Sequence, residues 1–226
     1  MVDLDGRHLL ITGAEGALGT AVADRALDLG ARLTLVDLKT PQGGAEATCL
    51  ALNLLDADAV TRALADAGPF DGVLHLAGGF DMGPTVEEMS ADALNAMIAL
   101  NVTTLHNLVR AVVPKLQARP GSAIVTVGAY NALSGKPNMG AYCAAKSMVM
   151  RLSESMAAEL GPKGVRVNCV LPGIIDTPAN RASMPDADRS GWTSPGAVAD
   201  AILFLCSPQA RAINGALVPV NNGVED

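Results

Sequence analysis

Short apolar runs alternate with longer amphipathic stretches along almost the whole chain. The runs His8–Thr12, Arg32–Asp37, Thr48–Leu52, Gly72–Leu76, Ser122–Val127, Val165–Val170 and Ala216–Val220 predict seven strands. Helical patterns fill most of the space between them: Ala17–Leu29 closed by Gly30, a stretch near Asp56–Ala67, Val86–Ala118, Gly140–Leu160 and Pro195–Cys206. Val86–Ala118 reads as two consecutive helices that meet near Leu100–Asn101, and Thr40–Gly44 reads as a polar loop. Strands and helices that alternate at this spacing need right-handed crossovers. The expected architecture is α/β, a doubly wound parallel sheet of about seven strands with helices on both faces. No linker or low-complexity tract divides the pattern, so residues 1–226 read as a single domain. Ligands of such sheets bind at the carboxyl ends of the strands, where the strand order reverses.

Composition narrows this picture. In 226 residues, half are apolar and only 3% are aromatic, so Ala, Val, Leu and Ile must fill the core. The net charge of −7 argues against a nucleic-acid partner, because phosphate binding needs clustered Lys and Arg. No uninterrupted apolar run has the length of a membrane span, and Met1–Arg7 lacks the basic and then apolar regions of a signal peptide. Cys49, Cys143, Cys169 and Cys206 lie far apart without metal-like pairing, as expected of reduced cysteines in a cytoplasmic protein. His8, His75 and His106 lack partners at catalytic or metal spacing and read as structural; no metal is expected.

Three groups of residues carry chemistry. The first is the loop Gly13-Ala14-Glu15-Gly16-Ala17-Leu18-Gly19, between the first strand and the first helix. Glycines there let the backbone approach a pyrophosphate, and the helix N-terminus offers free N–H donors and positive partial charge. The second is Asp37 at the end of the second strand, whose carboxylate can accept both ribose hydroxyls and would repel a 2′-phosphate. With Glu15 nearby, the expected cofactor is NAD, with NADH preferred over NADPH; Lys39 is the one nearby cation that works the other way. The third is Tyr142 with Lys146, four residues apart on one helix face. A phenol has a pKa near 10, and moving it to about 7 takes roughly 4 kcal/mol of preferential phenolate stabilisation. A close ammonium in a partly dry site, aided by an oxidised nicotinamide, is a source for it.

These residues, with Leu76-Ala77-Gly78, Asn101, Val165-Arg166-Val167-Asn168 and Leu171-Pro172-Gly173 through Thr177, resemble the short-chain dehydrogenase/reductase family nearly end to end. The resemblance implies a Rossmann-type sheet with cofactor and substrate sites in one domain. It makes Tyr142 the proton donor or acceptor and Lys146 the ligand of the nicotinamide ribose, where it also lowers the tyrosine pKa. Asn101 helps hold a water-linked proton relay. Gly13, Glu15, Gly16, Ala17, Leu18, Gly19, Asp37, Asn53, Ala77, Gly78, Tyr142, Lys146, Pro172, Gly173 and Thr177 would line the cofactor, with Asn53 near adenine and Thr177 near the carboxamide. It also implies a small-molecule substrate and a homodimer or homotetramer, built on the apolar stretches Leu100–Leu116 and Met148–Leu160.

The chain departs from the family pattern at three places. Ala17 replaces the middle glycine of the loop, Leu76 stands where an Asn is usual, and Ala129 stands where the family has its catalytic serine, thirteen residues before Tyr142. That serine helps hold a carbonyl oxygen as it becomes an alkoxide, and losing such a donor costs orders of magnitude in rate. Three explanations are open: a non-enzymatic relative, replacement by Ser134 or Asn131, or a substrate that forms no alkoxide. The last has extra support, because Glu15–Gly19, Ala77-Gly78-Gly79, Leu171–Asp188 and Ser190-Gly191-Trp192-Thr193 resemble the dihydropteridine reductase subfamily. That subfamily also lacks the serine and uses NADH on a quinonoid dihydropterin. The resemblance makes the segment at about 177–194 the substrate lid. Ala129 and Trp192 would then face the substrate, the indole either stacking on a flat ring or packing the lid.

Overall fold

The computed structural model describes residues 2–223. Seven strands form one parallel sheet: β1 (His8–Thr12), β2 (Arg32–Asp37), β3 (Ala47–Ala51), β4 (Gly72–His75), β5 (Ala123–Val127), β6 (Arg166–Pro172) and β7 (Leu217–Val220). Their order is β3-β2-β1-β4-β5-β6-β7, so the sheet grows one way from β1 and then the other, and the reversal falls between β1 and β4. The expected seven-stranded Rossmann-type sheet is present.

Successive strand residues feed opposite faces. Leu9 and Ile11 join Leu33, Leu35, Leu74 and Val125 under helices α1 (Ala17–Asp28) and α7 (Pro195–Cys206). Leu10 joins Val36, Val73, Ile124 and Val167 on the other face. That face is covered by α2 (Ala57–Ala65), α4 (Thr104–Gln117) and α5 (Gly140–Leu160). The remaining helices are α3 (Ala91–Ile98) and the short α6 (Pro178–Ser183).

Several boundaries differ from the sequence-based expectation for local reasons. Helix α2 starts one residue later because the Asp56 carboxylate caps it, accepting from Ala59 N at 2.9 Å. The stretch 86–90 is not helical, since Ser90 caps α3 through the same kind of bond to Ala93 N at 3.1 Å. The junction near Leu100–Asn101 is no break: Ala91–Gln117 runs as one helix through a π-helical turn at Ala99–Thr103. That 27-residue helix has a mean hydropathy of 1.3 in its most apolar window, enough by length and composition alone to cross a bilayer. Its inward side chains Leu105, Leu108, Val112 and Leu116 instead lie buried in the core. The segment after β6 contains α6, which the pattern of the sequence did not indicate.

The Arg166-Val167-Asn168 motif has a structural task. Arg166 is buried and donates to the carbonyls of Leu205, Cys206, Ser207 and Ile213, closing the C-terminal end of α7. The Asn168 amide donates to Ile213 O at 3.0 Å and accepts from Ala216 N at 3.0 Å, which sets the approach to β7. Replacing Arg166 by Met keeps most of its volume but leaves the Leu205 and Cys206 carbonyls without this donor and removes one of two from Ser207 O and Ile213 O. The expected loss is about 2–4 kcal/mol of stability, read as a lower midpoint in chemical denaturation.

Candidate active site

The glycine loop is shaped by backbone contact. Gly13 has φ +69°, and a Cβ there would lie 2.8 Å from Ala77 N. A Cβ on Gly19 would lie 2.0 Å from Gly13 O, so α1 can start against the loop only without a side chain. Gly16 is the N-cap of α1, with no side chain bonded to the helix end. The first N–H groups of α1 therefore face a cleft of about 410 Å³, lined by Gly13, Gly16, Ala17, Leu18 and Gly19 on one side and Thr177 and Pro178 on the other. Ala17 is exposed at this helix start, where its methyl is accommodated. Leu76, in place of the usual Asn, lines the same cleft and packs on the core.

Asp37 is already oriented. One carboxylate oxygen accepts from Glu15 N at 3.0 Å and the other from Leu38 N at 2.7 Å. Each oxygen keeps a lone-pair direction for a ribose hydroxyl. The Glu15 carboxylate is tied to Gln42 N at 2.9 Å and adds negative charge beside it. The Asn53 side-chain oxygen closes a turn to Leu55 N at 3.0 Å, which leaves its NH₂ as the group to offer a ring. The open helix end, the loop a Cβ would fill and the anchored carboxylate all fit a dinucleotide with a free ribose diol.

Helix α5 carries Tyr142 and Lys146. Thr126 and Ser153 share a hydrogen bond of 2.7 Å, and Lys146 Nζ donates to Val127 O at 2.9 Å. These two bonds fix the rotation of the helix over β5 and so place Tyr142. Asn101 is buried in the π-helical turn: its oxygen accepts from Gly79 N (3.1 Å), and its nitrogen donates to Gly79 O (3.1 Å) and Met97 O (3.0 Å). Gly78 sits between the two, where a Cβ would come within 2.6 Å of Asn101 Oδ1 and 3.3 Å of Lys146 Nζ. Asn101, Gly78, Lys146 and Tyr142 thus occupy one site at the carboxyl edge of the sheet.

Burial sets the electrostatics of this pair. Burial, with a lesser contribution from neighbouring Cys143, pushes the Tyr142 phenol up to about 12. Burial also pulls the Lys146 ammonium down to about 8, partly opposed by Cys169. Desolvation is the largest cause of both shifts. Tyr142 is then a protonated phenol at neutral pH, ready to donate rather than to accept.

Ala129 is buried among Ala132, Cys143, Met150, Cys169 and Leu171, with Tyr142 at the edge of the cluster. Its methyl continues this apolar wall. Ser134 is exposed at the end of the 3₁₀ turn Tyr130–Leu133, whereas Asn131 lies inside that turn. The segment expected to form the lid leaves and returns at one point, because Ile175 and Thr193 pair as a bridge and Asp176 N donates to Thr193 O at 2.9 Å. Gly173 N is bonded to Val220 O at 3.2 Å, so Pro172 and Gly173 end β6 firmly before the lid. Thr177 caps α6 through Asn180 N at 3.1 Å. Trp192 is only 8% exposed, with the Arg189 guanidinium 5.7 Å from its ring, so it packs the lid here and offers no open stacking face.

Phe80 was not legible as a site residue. It follows Gly78-Gly79 and meets Tyr142 edge-on, with ring centroids 4.9 Å apart at 84°, yet remains 53% exposed. His75 is the second addition. Its Nδ1 lies 2.9 Å from Thr12 Oγ1, which also accepts from Ala77 N at 3.3 Å. Burial, reinforced by the Lys146 charge, brings its imidazole down to about 3, so it stays neutral.

The Lys146 ammonium is charged below about pH 8 and neutral above it, while Tyr142 keeps its proton up to about 12. The alkaline limb of kcat/KM for reduction should therefore fall above about pH 8 and belong to Lys146. A pH profile of Lys146→Arg should move that limb upward, since a guanidinium stays charged.

A family model described as enoyl-(acyl carrier protein) reductase matches residues 13–225. The 3-oxoacyl-[acyl-carrier-protein] reductase FabG of Vibrio harveyi is 30% identical over 245 residues, covering 99% of this chain and 99% of that protein. The 2-(S)-hydroxypropyl-CoM dehydrogenase 3 of Xanthobacter autotrophicus is 30% identical over 249 residues, covering 98% and 97%. Among solved structures, an oxidoreductase of the short chain dehydrogenase/reductase family from Burkholderia thailandensis superposes with a TM-score of 0.86 at 32% identity, covering 96% of this chain and 92% of that one. A 3-oxoacyl-[acyl-carrier protein] reductase with bound NAD from Brucella melitensis gives 0.86 at 28% identity, covering 97% and 91%. With agreement running from the glycine loop to the last strand, this chain belongs to the short-chain dehydrogenase/reductase family of nicotinamide-dependent oxidoreductases.

Proposed function

We propose that the chain is an NADH-dependent, dihydropteridine reductase-like enzyme that reduces a quinonoid dihydropterin or a similar conjugated imine. The observation that carries this reading is Ala129: a buried methyl lines the wall where a carbonyl reductase needs an oxyanion donor. A conjugated imine accepts hydride into its electron-poor ring and needs a proton on nitrogen, so no alkoxide forms. The bound nicotinamide supplies the hydride. Tyr142, held as a neutral phenol by burial, donates the proton, and the Lys146 ammonium limits the cost of the phenolate left behind. Asn101, locked to Gly79 and Met97, holds the inner end of the site in place for proton resupply. Phe80 and Tyr142 give the entrance aromatic surface suited to a flat ring. The Asp37 carboxylate with Glu15 beside it favours NADH, because a 2′-phosphate would meet two negative charges. The exposed Leu100, Met148 and Leu152 on the helices α3–α4 and α5 suit a homodimer or homotetramer.

A second reading, reduction of a ketone or oxidation of a secondary alcohol, is favoured by the names of the relatives, a 3-oxoacyl reductase and a hydroxypropyl dehydrogenase. It needs Asn131 or Ser134 to replace the serine, and Ser134 is exposed at the end of its turn. A non-catalytic NAD-binding role fits poorly with Tyr142, Lys146 and Asn101 gathered in one site.

Mixing the protein with NADH and chemically generated quinonoid dihydropterin should consume NADH well above the uncatalysed rate. Tyr142→Phe should lower kcat by about 10²–10⁴-fold. Loss of NADH no faster than in the protein-free control would overturn the reading, and ketone turnover in its place would favour the second. Asp37→Ala should weaken NADH binding about tenfold and narrow the gap to NADPH in paired titrations, the ribose contact being one or two charge-assisted hydrogen bonds.

A further inference from the structure

Asp176 stands directly before Thr177, the N-cap of α6, and Arg181 is the fourth residue of that helix. The guanidinium takes both carboxylate oxygens, Nε at 2.5 Å and Nη2 at 2.6 Å. Arg181 holds the Asp176 carboxyl below the usual carboxylate range, so the pair is charged at neutral pH. Three further bonds act on the same stretch. Thr177 Oγ accepts from Asn180 N at 3.1 Å, the Asn180 amide donates to Ile175 O at 2.7 Å, and Arg181 N donates to Thr177 O at 2.9 Å. All of these partners lie within residues 175–181. The helix start they fix, Thr177, Pro178 and Ala179, is the wall of the cleft that faces the glycine loop.

A helix of six residues has too few internal bonds to persist alone. An exposed ion pair usually adds little, but a bidentate Arg–carboxylate pair is the exception. Here it ties the residue before the cap to the body of the helix and so sets the angle at which the chain enters α6. We propose that Asp176 and Arg181 are positioning residues for cofactor binding. Their pair clamps α6 in its folded form along the cleft before the cofactor arrives, so that a nicotinamide dinucleotide meets a finished wall at Thr177–Ala179. The ordering that binding would otherwise require is supplied within the chain. This role rests on cofactor binding alone and not on the imine-reductase reading.

A double-mutant cycle on NADH binding, followed by nicotinamide fluorescence, tests the clamp. Arg181→Met and Asp176→Asn should each weaken NADH binding about fivefold, the upper range for an exposed pair. The double variant should be no weaker than either single one, because both remove the same contact. The midpoint of global chemical denaturation should stay at the wild-type value in all three. Limited proteolysis with subtilisin in the absence of cofactor should spare residues 178–192 of the wild type and cut them in Arg181→Met, and saturating NADH should protect the variant. Single variants that bind NADH as the wild type does, losses that add in the double variant, a denaturation midpoint that falls in step with affinity, or a wild type cut in this segment as fast as Arg181→Met would each overturn the proposal. No arm uses a pterin. Failure of the clamp therefore leaves the imine-reductase reading standing, and absence of pterin turnover leaves the clamp standing.

Discussion

The carboxyl edge of this sheet depends on how closely backbone meets backbone at Gly13. A side-chain carbon there, or on Gly19, would force apart the loop after β1, the loop after β4 and the start of α1. Their contact leaves the end of α1 uncapped toward a cleft. It also brings Ala77-Gly78-Gly79 over α5, where Gly78 fills the gap between Asn101 and Lys146. Anion-binding end and proton-handling end are therefore not two independent devices. Both follow from the same close approach of strands at the point where strand order reverses.

Within this frame, dehydration sets the character of the Tyr142–Lys146 pair. Burial acts on Tyr142 and Lys146 in opposite senses, favouring the neutral form of each. Around them lie an apolar wall at Ala129, an aromatic edge at Phe80 and a neutral His75. The site offers one ready proton and few fixed charges toward the substrate. That combination is what the proposed reduction of a conjugated ring rests on.

Much of this was legible in the sequence. The seven strands and the helices α5 and α7 followed from periodicity, because buried parallel strands and long covering helices repeat one pattern over many residues. The glycine loop and Asp37 were legible because backbone approach and strand-end position restrict residue type. Other features depended on contacts between distant segments. The π-helical turn at Asn101 arises from bonds to Gly79, twenty-two residues earlier, and looked locally like a gap between two helices. Phe80 carried no periodic signal, and its role appears only against Tyr142. Trp192 showed the converse: its identity left ring stacking and packing of its own segment both open, and the structure buries the indole beside Arg189. The burial that raises the tyrosine pKa was also out of reach of spacing alone, since it depends on what packs around the phenol.

The bridge between Ile175 and Thr193 has an implication for how this protein diverges. Because the segment's two ends are stitched together and Thr193 is also tied to Val220 O at 3.2 Å, everything between them hangs from one closed neck. Chain can be added to or removed from such a loop at a small entropic cost, about 0.6 kcal/mol for each doubling in length. Neither β6 nor β7 need feel the change. The segment between them is thus a replaceable cassette on a fixed base, free to change while Tyr142, Lys146 and the glycine loop stay as they are.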